Sequence, residues 1–524
     1  MTGSKGKNPP TTTPPEPVAV IDVGAYSTRL RIVQYTTDGE AEILEEALQP
    51  LPLGNDVFNS GYISAANVFS SEEIFRDFTK LMRDYGVVRY KAVATSAVRE
   101  ALNRDIFLDR IEQSSDIRLE ILEGGGEARL LFLAVRQALG GRFGFNTGDS
   151  IIYTIGTGSS QISIVEDGRL ISADTIRLGT LRLAEEVGQK LTPGNLREAV
   201  DPLIAATFMG IARMSKGVHP ENLIAIGAPV RALASIARNR RQVRVATISR
   251  ESFEKLFASL SRVNGLEIVS QYGLADIDAA GLLPCCHMLE QLFEISQTSR
   301  IIVPMINTRD ALAEDFLREI VGDPDPFVPQ IVSSAEHLGQ RYGYDREHAR
   351  KVADLALILF DHLGRIHSLP PRARVLLEVV ALLHDIGMFI SNRQHHKHSY
   401  YLLRNSELPG ISEEEQNLIS LVARYHRRAT PRSSHLEFTS QTPEDRVTIS
   451  KLAAILRVAD ALDRAHQSKI KNLHVSFDRE KVVLSAMCNR DLTLAQWGLR
   501  MKADMFEQVF GRRVVLQNAS PAGG

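Results

Sequence analysis

The chain has 524 residues, 44% hydrophobic and 24% charged, with 61 Lys and Arg against 63 Asp and Glu for a net charge of -2. That length accommodates three or four domains and more than one core, and the composition is that of an ordinary globular protein. The charge balance excludes a global basic surface for DNA or RNA, so an anionic partner needs a local site. The three cysteines, Cys285, Cys286 and Cys488, are too few for a disulfide framework and lack zinc-cluster spacing, so a reducing, cytoplasmic compartment is expected. The longest apolar stretch, residues 375–390, is broken by Glu378, His384 and Asp385, which excludes a membrane span there.

Residues 1–17 are rich in Pro, Thr, Gly and Lys, and read as a disordered tail rather than a signal peptide. A gapless internal repeat follows. Residues 22–33 read DVGAYSTRLRIV and residues 154–165 read TIGTGSSQISIV, each after a short apolar strand, 18–21 and 151–153. Gly24 matches Gly156, Ser27 matches Ser159, and Leu30, Ile32 and Val33 match Ile162, Ile164 and Val165. The unit is strand, small-residue turn, strand. Glycine permits close backbone approach, and consecutive N–H groups in such a turn form an anion nest to which serine adds hydroxyl donors. One copy reads as a plain β-hairpin; two in register point to phosphate gripped from both sides. Gly140, Gly141 and Gly144 mark the crossover between the copies, and Gly227, ending the strand LIAI, marks a third turn on the same side.

The sequence DPDPFVP, residues 323–329, reads as a linker into a helical region. His348 precedes Val352, Leu355, Leu359 and Phe360 at helical spacing. His384 and Asp385 end the run VLLEVVALL, with Gly387 as the expected helix C-cap. His398 opens the next helix, His426 shares a face with Ile419 and Val422, and Asp460 follows Leu452 and Leu456. Three further histidines, His395, His396 and His435, lie nearby. One histidine on an apolar face is ordinarily a core residue, but buried Asp and His in this number need partners or a metal. Strands at 473–477 and 482–486 and a helix at 497–510 close the chain as a small α/β domain.

At this point the chain resembles the exopolyphosphatase/guanosine pentaphosphatase (Ppx/GppA) family of the actin/hexokinase/Hsp70 superfamily. Residues 93–103, VATSAVREALN, resemble its Thr-x-x-x-Arg segment, and residues 120–135, EILEGGGEARLLFLAV, the segment bearing its catalytic glutamate. Residues 398–431 resemble its C-terminal helical domain and residues 497–516 its last small domain. The resemblance implies an α/β fold: a duplicated actin-like (ASKHA, ribonuclease H-like) pair of lobes at 18–141 and 142–322, an all-α HD domain at 323–468, and a small α/β domain at 469–524. It implies a hydrolase of phosphoanhydrides, inorganic polyphosphate or guanosine pentaphosphate. Glu127 would be the general base, Asp22 would hold Mg²⁺ or Mn²⁺, and Arg99, Gly24, Ser27, Gly156, Gly158 and Ser159 would hold phosphate. Family members often form homodimers, though nothing in this sequence establishes an interface. The order His348, His384-Asp385, Asp460 is similar to the core motif of the HD phosphohydrolases, and His398 and His426 resemble the extra ligands of its two-metal members. Imidazole suits Mn, Fe or Zn there.

Departures bear on activity. Ala25 stands where the family has Ser, and the family's Asp-x-Gly-Gly-Gly-Ser-Thr-Glu reads Thr154-Ile-Gly-Thr-Gly-Ser-Ser-Gln161. Both carboxylates are absent, and residues 276–286 lack the expected basic residue. The alternative expectation is therefore a cleft that senses polyphosphate or (p)ppGpp, with chemistry in the HD domain.

Overall fold

The computed structural model describes residues 16–35, 41–187, 196–214, 220–238, 243–263, 265–274, 276–321, 324–406, 408–427, 429–468, 470–487 and 492–518. Most of the expected tail, Cys488 and the first residue of the expected linker lie outside these. The described residues fall into two compact units, one within Met1–Gly168 and Ala173–Asp325, the other within Arg169–Ser172 and Pro326–Gly524.

The first unit realises the repeat as two sheets of matching layout. Strands β1 (Val18–Val23), β2 (Ser27–Tyr35), β3 (Ala41–Pro50), β4 (Arg89–Ala94) and β5 (Glu120–Ile121) form a sheet of order β3-β2-β1-β4-β5. Strands β6 (Ser150–Ile155), β7 (Ser160–Glu166), β8 (Arg169–Ile176), β9 (Asn222–Ile226), β10 (Val245–Ser249) and β11 (Arg300–Pro304) form a sheet of order β10-β11-β9-β6-β7-β8. In both, the repeat is an antiparallel hairpin whose first strand also pairs parallel with a later strand, β1 with β4 and β6 with β9. Such a strand is covered on both faces, which is why it reads as a continuous apolar run.

Side-chain alternation then decides where the polar residue of each run goes. Ala19, Ile21 and Val23 pack into one core, while Val18 and Val20 pack with Leu130, Ala134, Ala311 and Phe316 into another. Asp22 shares the parity of Val18 and Val20. It therefore lies on the face covered by the helices Gly124–Leu139, which carries Glu127, and Thr308–Val321, whose first turn carries Arg309.

The second unit is built from helices, including Arg346–His362, Pro371–Leu383, His395–Arg404, Glu413–Arg424 and Pro443–Leu462. Their starts are written locally. Asp345 accepts from the His348 amide, Ser412 and Glu415 form a capping box, and Pro371 and Pro443 stand in first turns, where a missing N–H costs no helical bond. A sheet of order β12-β13-β14 follows, from Asn472–Phe477, Lys481–Met487 and Arg513–Asn518. The helix expected at 497–510 is two helices, Thr493–Lys502 and Asp504–Phe510, meeting at Ala503. Among the described residues, no helix is long and apolar enough to cross a membrane.

Candidate functional site

The two turns of the repeat line one cavity of about 200 Å³ in the first unit, together with Asp22, Arg29, Glu127, Gly227, Arg231, Asp278 and Arg309. The turns are built alike. Gly24 N–H donates to Ser27 O at 2.9 Å and Gly156 N–H to Ser159 O at 3.0 Å. These glycine amides thus close their own turns, a correction to the expectation that they join an anion nest. Room requires glycine at two places: a Cβ on Gly156 would lie 2.7 Å from Ser159 O, and one on Gly227 would strike the Ile155 carbonyl.

Of the residues expected on phosphate, Gly24, Ser27, Gly156, Gly158 and Ser159 line the cavity, as does Asp22, expected on the metal. Arg99 does not. Its Nη1 donates to Leu122 O at 2.6 Å, although its charge still reaches Glu127. The cavity's cations are instead Arg29, Arg231 and Arg309, which sequence analysis missed. Arg29 carried a legible signal, because it lies two residues after Ser27 on the same strand face. Arg231 and Arg309 come from helix starts elsewhere in the chain and supply the charge that residues 276–286 lack. The Nε groups of Arg29 and Arg309 are buried and have no hydrogen-bond partner among the described residues. A buried unsatisfied donor is costly, so both Nε groups are open to an acceptor entering the cavity, while Arg309 Nη1 already pairs with Glu46 Oε1 at 3.5 Å.

Burial raises the pKa of Glu127; Arg99 opposes the rise and Asp22 adds to it. Burial also raises Asp22, against Arg29 and Arg309. Gln161 Nε2 donates to Gly124 O at 2.7 Å, tying the second hairpin to the first residue of the Glu127 helix.

The second unit gathers two triads whose ligand atoms lie within 4.8 Å of one another: His348, His384 and Asp460, and Asp385, His395 and His426. All four imidazoles are anchored through Nδ1. His348 bonds Asp463 Oδ2 at 2.9 Å, His384 bonds Ala381 O at 2.8 Å, His395 bonds Asn392 O at 3.1 Å and His426 bonds Ala423 O at 2.6 Å. That leaves every Nε2 facing inward, and those of His348 and His384 are buried without a hydrogen-bond partner among the described residues. Asp385 divides its oxygens between the triads. Oδ2 is 3.5 Å from His384 Nε2, and Oδ1 is 3.1 and 3.3 Å from His395 and His426 Nε2. Burial holds His384 down to about 4, which keeps it a neutral donor at pH 7. Nδ1-anchored imidazoles around a carboxylate with an oxygen for each side are a donor set that fits divalent ions.

Two expectations are corrected here. The helix begins at His395, and His395, not His398, joins the centre; the half-buried His398 puts its Cβ against the Gly387 position instead. Gly387 is not a C-cap. The helix ends at Leu383 with His384 as its cap, and Gly387 marks a close crossing, where an added Cβ would strike His395 O and Ser399 N. A third group, Asp201, His287 and Glu290, lies in the first unit, with His287 Nδ1 3.0 Å from Asp201 Oδ1.

Two sheets of matching layout, each with a hairpin turn on one shared cavity, make the duplicated arrangement of an actin-like fold. A model of the Ppx/GppA phosphatase family matches residues 32–318, and one of Ppx/GppA phosphatase domain III matches residues 332–503. The chain belongs to the Ppx/GppA phosphatase family. It is 23% identical over 491 residues to the guanosine-5'-triphosphate,3'-diphosphate pyrophosphatase of Vibrio vulnificus, covering 91% of this chain and 94% of that one. It is 24% identical over 445 residues to that of Vibrio parahaemolyticus, covering 84% and 86%. Among solved structures, an exopolyphosphatase from Cytophaga hutchinsonii superposes with a TM-score of 0.53 at 20% identity, covering 58% of this chain and 98% of its own. The Aquifex aeolicus Ppx/GppA family member gives 0.50 at 23% identity, covering 58% and 98%. The likeness to these two structures is one of fold.

Proposed function

We propose that the protein is a metal-dependent phosphohydrolase that removes terminal phosphate from a phosphoanhydride, inorganic polyphosphate or guanosine pentaphosphate, in the cavity of the first unit. The observation that supports this is the convergence of both hairpin turns, Glu127 and three arginines on that cavity. Arg29, Arg231 and Arg309 hold phosphoryl oxygens, and the glycine turns let the backbone approach them. Glu127, its pKa raised, takes a proton from the attacking water. Asp22, with Asp278 also lining the cavity, would hold Mg²⁺ or Mn²⁺ through hard oxygen donors. The ion, when bound, offsets charge on the transferring phosphoryl group.

The two triads favour a second, HD-type metal centre in the second unit. His348, His384 and Asp460 would hold one ion and Asp385, His395 and His426 another, with Asp385 shared. Mn, Fe or Zn suits such donors.

The test is phosphate release from polyphosphate and guanosine pentaphosphate with Mg²⁺ or Mn²⁺, comparing wild type, Glu127→Gln and a His384→Ala/Asp385→Ala double variant. Loss in Glu127→Gln with retention in the double variant is expected. The reverse pattern would move the chemistry to the histidine centre and overturn the proposal.

A further inference from the structure

Asp460, near the end of the helix Pro443–Leu462, is 5% exposed and uses its two oxygens differently. Oδ1 faces His348 Nε2 at 3.8 Å, inside the first triad. Oδ2 accepts a hydrogen bond from Lys502 Nζ. Lys502 is itself only 6% exposed. A lysine ordinarily keeps its ammonium in water while its stem lies on the protein, and a buried charge persists only with a partner.

The chain holds Lys502 in that place by other means as well. Arg457, one turn before Asp460 and fully buried, donates from Nε to the Lys502 carbonyl at 2.9 Å and from Nη2 to Asp504 Oδ1 at 2.6 Å. Gly498, on the Lys502 helix, allows the approach, because a Cβ there would lie 2.9 Å from the Ala461 carbonyl oxygen. The last turn of the Asp460 helix is therefore gripped at Arg457, Asp460 and Ala461 by a segment that follows β13.

The other two members of the triad have comparable outer partners, Asp463 on His348 Nδ1 and Ala381 O on His384 Nδ1. We propose that Lys502 is the positioning residue for the third: its ammonium fixes Asp460 Oδ2, so that Oδ1 is presented to the ion shared with His348 and His384. This rests on the metal reading of the second unit. It assigns the C-terminal α/β segment a part in building the centre, rather than leaving it an appendage. Outer partners of metal ligands typically change affinity by about 10–100-fold when removed.

The experiment is a calorimetric Mn²⁺ titration of the full chain as wild type, Lys502→Met and Lys502→Gln, with circular dichroism as the fold control. Met fills the same space without a donor, so one of two Mn²⁺ sites should weaken by about 10–100-fold while the other holds. Gln can donate an amide N–H to Oδ2 and should recover most of the loss. Unchanged or tighter binding in Lys502→Met would mean that the ammonium merely repels the ion, and would overturn the proposal. So would a folded Lys502→Gln variant that binds Mn²⁺ at least 10-fold more weakly than wild type, which tests the point even if the Met variant does not fold. Wild type that binds no Mn²⁺ would sink the metal reading itself, a failure distinct from that of Lys502.

Discussion

Asp22 pairs with Arg29 across the first hairpin, and Thr154 pairs with Gln161 at the matching place in the second. One copy of the repeat thus keeps a charged pair at the cavity while the other has a neutral pair. Thr154→Asp adds a carboxylate on the wall where a hard cation would gain a second charged ligand. It should lower the Mg²⁺ concentration needed for half-maximal phosphate release several-fold. Gln161→Glu should not, because Gln161 donates to Gly124 O and a carboxylate there would face a carbonyl. Steady-state rates against Mg²⁺ check both, and equal gains from the two would contradict the role given to Gln161.

Glu127 makes two predictions of opposite sign. As general base, its replacement by Gln should cost about 10²–10⁴-fold in kcat. As a carboxylate whose folded pKa is raised, it contributes stability below the ordinary glutamate value of 4.5, which is lost as pH rises through the folded pKa. At pH 7 its ionised form is therefore a cost, and Glu127→Gln should raise Tm. Arg99 opposes the shift, so Arg99→Met should move the acid limb of kcat/KM to higher pH. An acid limb that stays in place would remove Glu127 as its source.

The hairpins were legible because the turn folds back on its own carbonyl, tightly enough at Gly156 to require Gly and less so at Gly24, so the small residue recurs in register. The parity that turns Asp22 toward the Glu127 helix was equally readable from the run VAVIDV. Arg231 and Arg309 were not, because their neighbourhood depends on how helices from distant parts of the chain meet over the sheet. Within the histidine centre, spacing distinguished faces of helices but not which turn arrives. His395 and His398 are three residues apart, and the crossing at Gly387 decides between them. Lys502 gave no sign, since its partner lies 42 residues away and a surface lysine is the ordinary reading.

Arg29 and Arg309 should act on binding more than on turnover. With their Nε groups buried and unpartnered, replacing either by Met removes a charge-assisted bond to phosphate, worth roughly 1.5–3 kcal/mol. KM for polyphosphate should rise about 10–100-fold. The Arg309 variant should also gain some stability without ligand, since burial and the charges of Arg31 and Arg29 all lower the Arg309 pKa. Inhibition by orthophosphate, measured alongside, separates lost binding from lost chemistry.

Chelation should destabilise the second unit selectively. Ions that bind the folded centre and not the unfolded chain stabilise it by mass action, about 2.7 kcal/mol at a hundredfold excess over Kd. Calorimetry with and without EDTA should show a drop in the transition that contains the histidine centre. In His384→Ala the drop should be smaller, with one equivalent of Mn²⁺ retained by Asp385, His395 and His426. An EDTA-insensitive wild type would remove the structural reason for the inward-facing Nε2 groups.

Gly387 offers a test of the crossing that brings His395 in. Its N–H donates to Ser399 Oγ at 2.9 Å, and an added Cβ would meet His395 O and Ser399 N, both backbone, and lie 2.8 Å from His398 Cβ. Backbone cannot rotate aside as a side-chain tip can, so Gly387→Ala must move the helix His395–Arg404. Overpacking of this kind costs about 1–3 kcal/mol. The displacement falls on His395, which lies 3.1 Å from Asp385 Oδ1, and leaves His348, His384 and Asp460 on other helices. The variant should therefore lose Mn²⁺ affinity at the second site and keep it at the first, the mirror image of Lys502→Met. Equal loss at both sites would show that the two triads act as one unit through Asp385.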